Sequence, residues 1–376
     1  MNTRDKGFYD LLALGLGESS YQGFVDSTMA DFQNARKTDG FDWAPDIQMG
    51  FTYEQIESEL GLASIPTFVD IDSPGAYKER QGVSLGMGSI PRGKHGFAIN
   101  EKILREEMII AQRTGRYSNG LREKMLDILF DSTSDLIKGN YAGLTLQRDQ
   151  MVSSGMFELT AENNPDGLRS IQFKAHIPKD NVVKLTASKK WFDGEGKQTA
   201  GSDPIKDLRD IVDKMEDAHV ENFHFEVDKK TFRKALTHTK VLDAIAMNLY
   251  PATQNATPSV LVANLGRDVQ QKVLEDVIGA PIVIKNNIVK IEGKGEIRTF
   301  AENVWALVPD GTLGDIKAVQ PIFVADPAAR IAEYDGGRTV LKQWFDTSTN
   351  TQYIESELTA LCVPSRPKHM FQLVVG

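Results

Sequence analysis

Residues 202–232 read SDPIKDLRDIVDKMEDAHVENFHFEVDKKTF, and the period of their apolar side chains changes once along the way. Asp203 is placed as a helix N-cap, Pro204 fits the first helical position, where no backbone N–H is needed, and Asp207 lies in the first turn. Ile205, Leu208, Ile211, Val212 and Met215 then recur at helical spacing as one buried stripe. Asp207, Asp210 and Asp213 fall opposite it and read as a solvated face. From Asn222 to Val227 the period becomes two: Phe223, Phe225 and Val227 share one face of a strand, and His224 points to the other, solvated or capped. Asp228 then caps a second helix carrying Phe232, Leu236, Leu242 and Ile245.

The same mixture extends in both directions. Downstream, the sequence predicts a strand at Val260–Ala263 and a helix over Asp268–Ile278. A hairpin of Ile282–Ile284 with Ile288–Ile291 follows, turning at Asn286-Asn287, and then strands at Val304–Val308 and Ile322–Ala325. Two terminal strands, Tyr353–Cys362 and Met370–Val375, are separated by Pro364 and Pro367. Upstream, strands are predicted at Phe157–Thr160, Arg169–Ala175 and Val182–Ala187, with Trp191–Gly201 as a glycine-rich linker. A long helix starts near Leu121, buries Met125, Ile128, Leu129, Leu136 and Ile137, kinks at Gly139 and Gly143, and continues towards Ser154. Asn100 caps a shorter helix reaching about Gln112. Helices and strands in this irregular order define an α+β fold, not a doubly wound sheet.

The first 99 residues are different. Residues 1–49 scatter Phe8, Leu11, Leu12, Phe24, Phe32 and Trp43 among polar residues with no sustained period, so the segment is either a frayed terminus or an arm packed on something else. A short helix is predicted at Thr52–Leu60, then a strand and turn from Ile65 to Gly75. Tyr77–Phe97 holds five glycines and few apolar residues. A two-stranded arm of that composition is unstable alone; it is a disordered loop or it lies on a neighbouring subunit.

The chain has 376 residues, 41% of them hydrophobic and 25% charged, enough for two or three cores. Its 43 basic and 52 acidic side chains leave a formal charge of −9, the opposite of a protein that coats a nucleic-acid backbone. Cys362 is the single cysteine, read as a buried thiol in a chain of intracellular origin. No signal sequence or membrane span is expected. Enzyme chemistry has little to stand on. Gly88-Ser89-Ile90-Pro91-Arg92-Gly93-Lys94 approaches a phosphate-binding loop, but His95 replaces the magnesium-ligating hydroxyl, Gln81–Met87 before it is too thin in apolar residues for a buried strand, and Gly96 follows where a helix should open. The six histidines have no metal-ligand spacing, and no nucleophile, base and oxyanion site assemble.

The order of segments resembles the major capsid proteins of tailed double-stranded DNA phages, the lambda-type capsid protein E family with the Hong Kong 97-type fold. The loop Ile65-Pro66-x-Phe68-Val69…Ser73-Pro74-Gly75…Arg80-Gln81-Gly82…Ile90-Pro91-Arg92-x-Lys94 is similar to that family's extended loop. Leu136-Ile137-Lys138-Gly139-Asn140-Tyr141 looks like its long-helix ending, although the helical pattern here runs on past Tyr141. Trp191 before Asp203-Pro204-x-x-Asp207, and the strand–Asp228–helix unit, follow in family order.

The resemblance implies an N-terminal arm (1–49), an extended loop (50–99), a spine helix with a peripheral domain (100–202), an axial domain (203–345) and C-terminal strands returning to the peripheral domain (346–376). It implies a non-enzymatic major capsid protein, without cofactor or metal, that forms pentamers and hexamers of an icosahedral shell. The shell encloses double-stranded DNA without gripping it, in keeping with the acidic balance. Implied partners are copies of itself, a separate scaffolding protein, a portal and a decoration protein; the chain is made in the host bacterial cytoplasm and ends in the virion. Pro66, Phe68, Pro74, Gly75, Arg80, Pro91, Arg92 and Lys94 are the candidate inter-subunit contacts. Two other readings stay open: the shell of a cellular nanocompartment, and a nucleotide-binding enzyme using Gly88–Lys94.

Overall fold

A computed structural model describes residues 38–57, 84–100, 120–164, 171–249, 265–321, 330–346 and 351–376, with a few single positions between them. The first half holds strands β1 (Phe41–Trp43), β2 (Thr52–Glu57), β3 (Ser84–Ser89) and β4 (Arg92–Ile99), helix α1 (Gly120–Ser154), and strands β5 (Met156–Leu159), β6 (Ile171–Lys174) and β7 (Val182–Lys184). Next come α2 (Pro204–Asp217), β8 (Phe223–Asp228), α3 (Lys229–Ala235), α4 (Thr239–Leu249), α5 (Arg267–Ile278), β9 (Ile282–Lys285), β10 (Ile288–Ile291) and β11 (Gly295–Arg298). The chain ends with β12 (Val304–Pro309), β13 (Gly314–Ala318), β14 (Arg330–Tyr334), β15 (Thr339–Asp346), β16 (Thr351–Pro364) and β17 (Phe371–Val374).

Two large sheets are built around one helix. The first is organised on the 14-residue β16, in the order β1-β13-β16-β15-β14, with β4 also paired to β16. Strand alternation sends Ile354, Leu358, Ala360 and Cys362 of β16 to the face where α1 lies, against Leu136, Ile137, Tyr141 and Leu144. The second sheet has the order β7-β17-β12-β8-β9, with β8–β9 and β17–β7 parallel. Its core gathers Phe225, Val227, Trp305, Leu307 and Leu373 under the stripe Ile205, Leu208, Ile211, Val212 and Met215 of α2. A third cluster joins Leu146 and Met151 of α1 to Phe157 and Phe173 of the β5–β6 hairpin and to Tyr53 and Ile90.

The strongest sequence signals reappear as built. Asp203 Oδ1 accepts from Lys206 N, with Pro204 at the start of α2, and the Asp228 side chain accepts from Lys230 N and Thr231 N ahead of α3. Asn100 Oδ1 accepts from Ile103 N. Cys362 is fully buried, with its Sγ 3.7 Å from Leu144 O.

Several expectations are corrected. Of the helix expected at Thr52–Leu60, the described part, Thr52–Glu57, is instead strand β2, because Ser84–Ser89, far along the chain, supplies an antiparallel partner. Helix α1 runs unbroken from Gly120 to Ser154, so neither Gly139 nor Gly143 ends it. A Cβ at Gly139 would lie 2.5 Å from His95 Cε1, so this glycine lets β4 close onto the helix. The helix expected after Asp228 is two helices, broken around Leu236–His238. Ile282–Ile284 and Ile288–Ile291 do not pair with each other: β9 joins β8 and β10 joins β11. Val262 is helical rather than extended, and the strand expected at Ile322–Ala325 lies outside the described residues. The Trp191–Gly201 stretch is no plain linker, because Trp191 is fully buried against Trp305.

Gly314 is the tightest point of the first sheet: a Cβ there would strike Val363 O and sit 2.7 Å from both Phe41 Cε1 and Pro364 Cα. Gly314→Ala is expected to lower stability by about 1–3 kcal/mol in urea unfolding. Gly194→Ala, whose Cβ meets nothing within 4 Å, is the neutral control.

Candidate assembly surface and buried charge junction

Strands β2 and β3 form a two-stranded sheet, with Thr52 opposite Ser89 and Glu57 opposite Ser84. It is anchored by Tyr53 and Ile90, both buried in the third cluster, and by Ile90 N donating to Phe51 O at 2.7 Å. Just outside that anchor Met49 and Phe51 are exposed, 67% and 53%, an apolar pair that the fold itself leaves in water. Strand β4 then runs along β16, and its second edge meets no strand among the described residues.

Arg92 and Lys94 lie on the outward face of β4. Arg92 donates from Nε and Nη2 to the two carboxylate oxygens of Glu357 at 2.8 and 2.7 Å. Lys94 Nζ donates to Glu355 at 2.7 Å and lies 3.5 Å from Glu357. The hydrogen bond to Glu357 raises the pKa of Arg92, and that to Glu355 raises the pKa of Lys94. These exposed pairs add little stability but fix the register of β4 on β16. Pro91 makes the link from β3 to β4. Pro66, Phe68, Pro74, Gly75 and Arg80 lie outside the described residues. The Gly88–Lys94 stretch is strand, short link and strand, with Ile90 buried and no helix opening after Lys94, so the nucleotide reading has no cradle here.

A cleft of about 530 Å³ lies between β4, α1 and the β5–β6 hairpin, touching Pro91, Lys94, His95, Gly139, Gly143 and Asn164. Burial holds His95 below the ordinary histidine range, against its hydrogen bonds to Asn140 and Leu136.

Beneath this surface α1 meets the second sheet through charge. Arg148 and Asp149 on α1 and Glu226 on β8 are fully buried, and Lys285 on β9 is 5% exposed. Arg148 grips both oxygens of Glu226 through Nη1 and Nη2, and donates from Nε to Asp39 O at 3.0 Å. Lys285 Nζ reaches Asp39 Oδ2 at 2.7 Å and Glu226 Oε1 at 3.2 Å. Asp149 accepts from Thr299 Oγ1, from Asn287 Nδ2 at 3.2 Å and from Arg148 Nη1 at 3.2 Å. Burial would push the Glu226 carboxyl up; the Arg148 charge, with His224 and Lys285, outweighs it and holds Glu226 well below the usual carboxylate range. His224, expected to be solvated or capped, is wedged between Asp310 and Glu226. Asp207, expected on a solvated face, is half-buried; burial raises its pKa, and Trp191 Nε1 donates to it at 2.8 Å.

Ser202 and His238 form a buried serine–histidine pair. Ser202 Oγ donates to Thr199 O at 2.6 Å, and Lys240 N donates to His238 Nδ1 at 3.3 Å. His238 Nε2 therefore carries the proton in its 2.8 Å contact with Ser202 Oγ, so the ring takes no proton from the hydroxyl. Among the described residues no group of His, Cys, Asp and Glu has the geometry to hold a metal ion.

A profile for the phage major capsid protein E family matches residues 46–375, and the chain belongs to that family. It is a structural subunit of a phage capsid shell, not an enzyme, and its place is the virion. Its two-stranded β2–β3 sheet, long helix and two large sheets make up a mixed α+β subunit. Among solved structures it is similar to a phage-related protein of Bordetella bronchiseptica RB50, at 13% identity over 93% of this chain and 94% of that one, TM-score 0.49. It is also similar to the putative capsid protein of a prophage of E. coli CFT073, at 10% identity over 78% and 80%, TM-score 0.49. A third similarity is to a chain of the satellite phage P4 procapsid that includes the size determination protein, at 10% identity over 93% and 98%, TM-score 0.43. No curated protein sequence matches.

Removing one partner of the buried pair leaves an uncompensated charge. Arg148→Met is expected to cost about 3–5 kcal/mol in urea unfolding, whereas Arg148→Met with Glu226→Leu recovers at least half of that loss.

Proposed function

We propose that copies of this chain form pentamers and hexamers of an icosahedral shell around double-stranded DNA, and that the extended loop between β2 and β3 lies across an adjacent copy. The observation that carries this reading is the anchored hairpin base. Tyr53 and Ile90 tie two strands to the body of the subunit. Those strands pair only with each other among the described residues. Such a ribbon is marginal in water and gains its stability from a second surface. The exposed Met49 and Phe51, and the edge of β4 that no strand pairs among the described residues, fit the same need for a neighbour.

In this reading residues 1–49 are an arm, 50–99 the extended loop, 100–202 the spine helix and peripheral domain, 203–345 the axial domain and 346–376 the returning strands. Pro66, Phe68, Pro74, Gly75 and Arg80 meet the neighbouring copy, together with Pro91, Arg92 and Lys94 at the root of the loop. The last two are already paired with Glu357 and Glu355 of their own chain. Their role across the interface is then to present a charged rim of fixed geometry rather than free cations. A separate scaffolding protein, a portal and a decoration protein are the further partners, and synthesis takes place in the host bacterial cytoplasm. The formal charge of −9 favours enclosing DNA over gripping it.

Expressed with its scaffolding protein, the chain is expected to give closed particles in negative-stain electron microscopy. A chain that stays monomeric under those conditions refutes the reading. Replacing residues 58–83 by a short Gly-Ser turn across the β2–β3 base is expected to leave a folded subunit that forms no closed shells.

A further inference from the structure

Glu226 Oε1 faces three basic groups at once: Arg148 Nη2, Lys285 Nζ at 3.2 Å and His224 Nε2 at 3.4 Å. The buried centre is neutral by itself, with Arg148 and Lys285 set against Glu226 and Asp149. Two titratable groups lead from it to water. One is Asp39, whose side chain is 69% exposed although Lys285 holds it at 2.7 Å. The other is His224, 20% exposed, with Nδ1 2.5 Å from Asp310. Because the centre is balanced without them, either end can let go and strand no buried charge.

Asp39 is the second residue of the docked segment 38–48. Below it the segment is held by the short β1–β13 ladder, by Leu313 N on Gly40 O, by Arg338 Nη2 on Ala44 O at 2.6 Å and by Gln48 N on Ala318 O at 2.9 Å. The carbonyl and the carboxylate of Asp39 are therefore where this segment is tied to α1 and β9.

We propose that His224 and Asp39 are the two ends of a proton-linked latch, in which the protonation state of His224 sets how firmly Lys285 holds the N-terminal segment. With the ring protonated, Nδ1–H donates to Asp310 and Nε2–H to Glu226. Arg148 and His224 then satisfy Glu226, and Lys285 is left to Asp39. A neutral ring has one N–H for two carboxylates. When Asp310 keeps it, the Nε2 lone pair faces Glu226 Oε1, and Glu226 draws Lys285 away from Asp39. The groups around the ring are Glu226 on its own strand, Asp310 from the β12–β13 link, Arg148 and Asp149 from α1, Lys285 from β9 and, beyond it, Asp39.

Burial opposes the protonated ring, but the hydrogen bonds to Glu226 and Asp310 outweigh it and raise the pKa of His224 above its ordinary value of 6.5. The stabilisation is thus fully present below 6.5 and is lost as pH rises through the higher folded value.

The test is amide hydrogen exchange in the full-length chain between about pH 6 and about pH 9, corrected for the intrinsic rate. The Ala44 and Gln48 amides, which donate to Ile316 O and Ala318 O, should lose protection by about three- to tenfold across this window. Amides of β12 serve as the internal reference for global unfolding. In His224→Gln the profile should be flat. In Lys285→Met it should be flat and low throughout. Asp310→Asn, a change at the surface, should move the loss of protection to lower pH. The proposal is overturned if wild-type protection does not change with pH while His224 titrates, if His224→Gln keeps the wild-type profile, or if Asp310→Asn leaves the midpoint where it was.

Discussion

The salt bridge between Arg148 and Glu226 is the constraint on which the rest of the subunit depends. One partner sits near the end of a 35-residue helix, the other on an inner strand of the second sheet, and neither reaches water. A buried charge is tolerated only when it is paired and its remaining hydrogen-bonding capacity is used. Here Asp149 and the backbone carbonyl of Asp39 use that of Arg148, Lys285 and His224 that of Glu226, and Asn287 and Thr299 satisfy Asp149 in turn. Apolar packing allows small slides between a helix and a sheet, but a two-toothed guanidinium–carboxylate contact fixes position and angle. The junction therefore sets how the second sheet is presented relative to α1.

Helix α1 can then serve as a shared beam. One face buries Leu136, Ile137, Tyr141 and Leu144 against the first sheet, while Leu146 and Met151 bury against the β5–β6 hairpin and against Tyr53 and Ile90. Its last turns carry the charge junction. Loop root, first sheet and second sheet all refer to one rigid element. For a protein that must meet copies of itself in a closed shell, an error at the centre of the subunit would be magnified at its edges. Excluding water from the junction and using bidentate geometry keeps that error small.

Legibility in the sequence varied with the range of the interaction. The caps at Asp203, Asp228 and Asn100 act over two or three residues and are all found in place. The stripe of α2 and the alternation of β8 were equally plain. Strand partners were less so: Ile282–Ile284 and Ile288–Ile291 look like a hairpin, yet β9 pairs with β8 and β10 with β11. Strand β13 does alternate, Asp315 and Lys317 outward and Ile316 and Ala318 inward, but a five-residue run with so little apolar bulk carries a weak strand signal. At the candidate surface, Arg92 and Lys94 were singled out for contacts with a neighbour, and Glu355 and Glu357, their partners within the chain, were not. The one available signal for the junction was Glu226 beside His224 on the face of β8 turned away from Phe225, where a solvated side is the ordinary reading.

By itself the sequence determined the α+β class, the helix starts, the lone buried thiol and the order of segments that resembles a capsid protein. All of these follow from neighbours within a few residues, from composition, or from linear order. Only the tertiary structure decided that Thr52–Glu57 is a strand, that α1 continues through two glycines, and that Arg148 and Glu226, 78 residues apart, share a buried interior. The physical reason is that both strand pairing and charge burial depend on which distant surface closes over a residue. A charged side chain carries the same letter in water and in a core; the partner brought to it by folding determines which environment it can occupy.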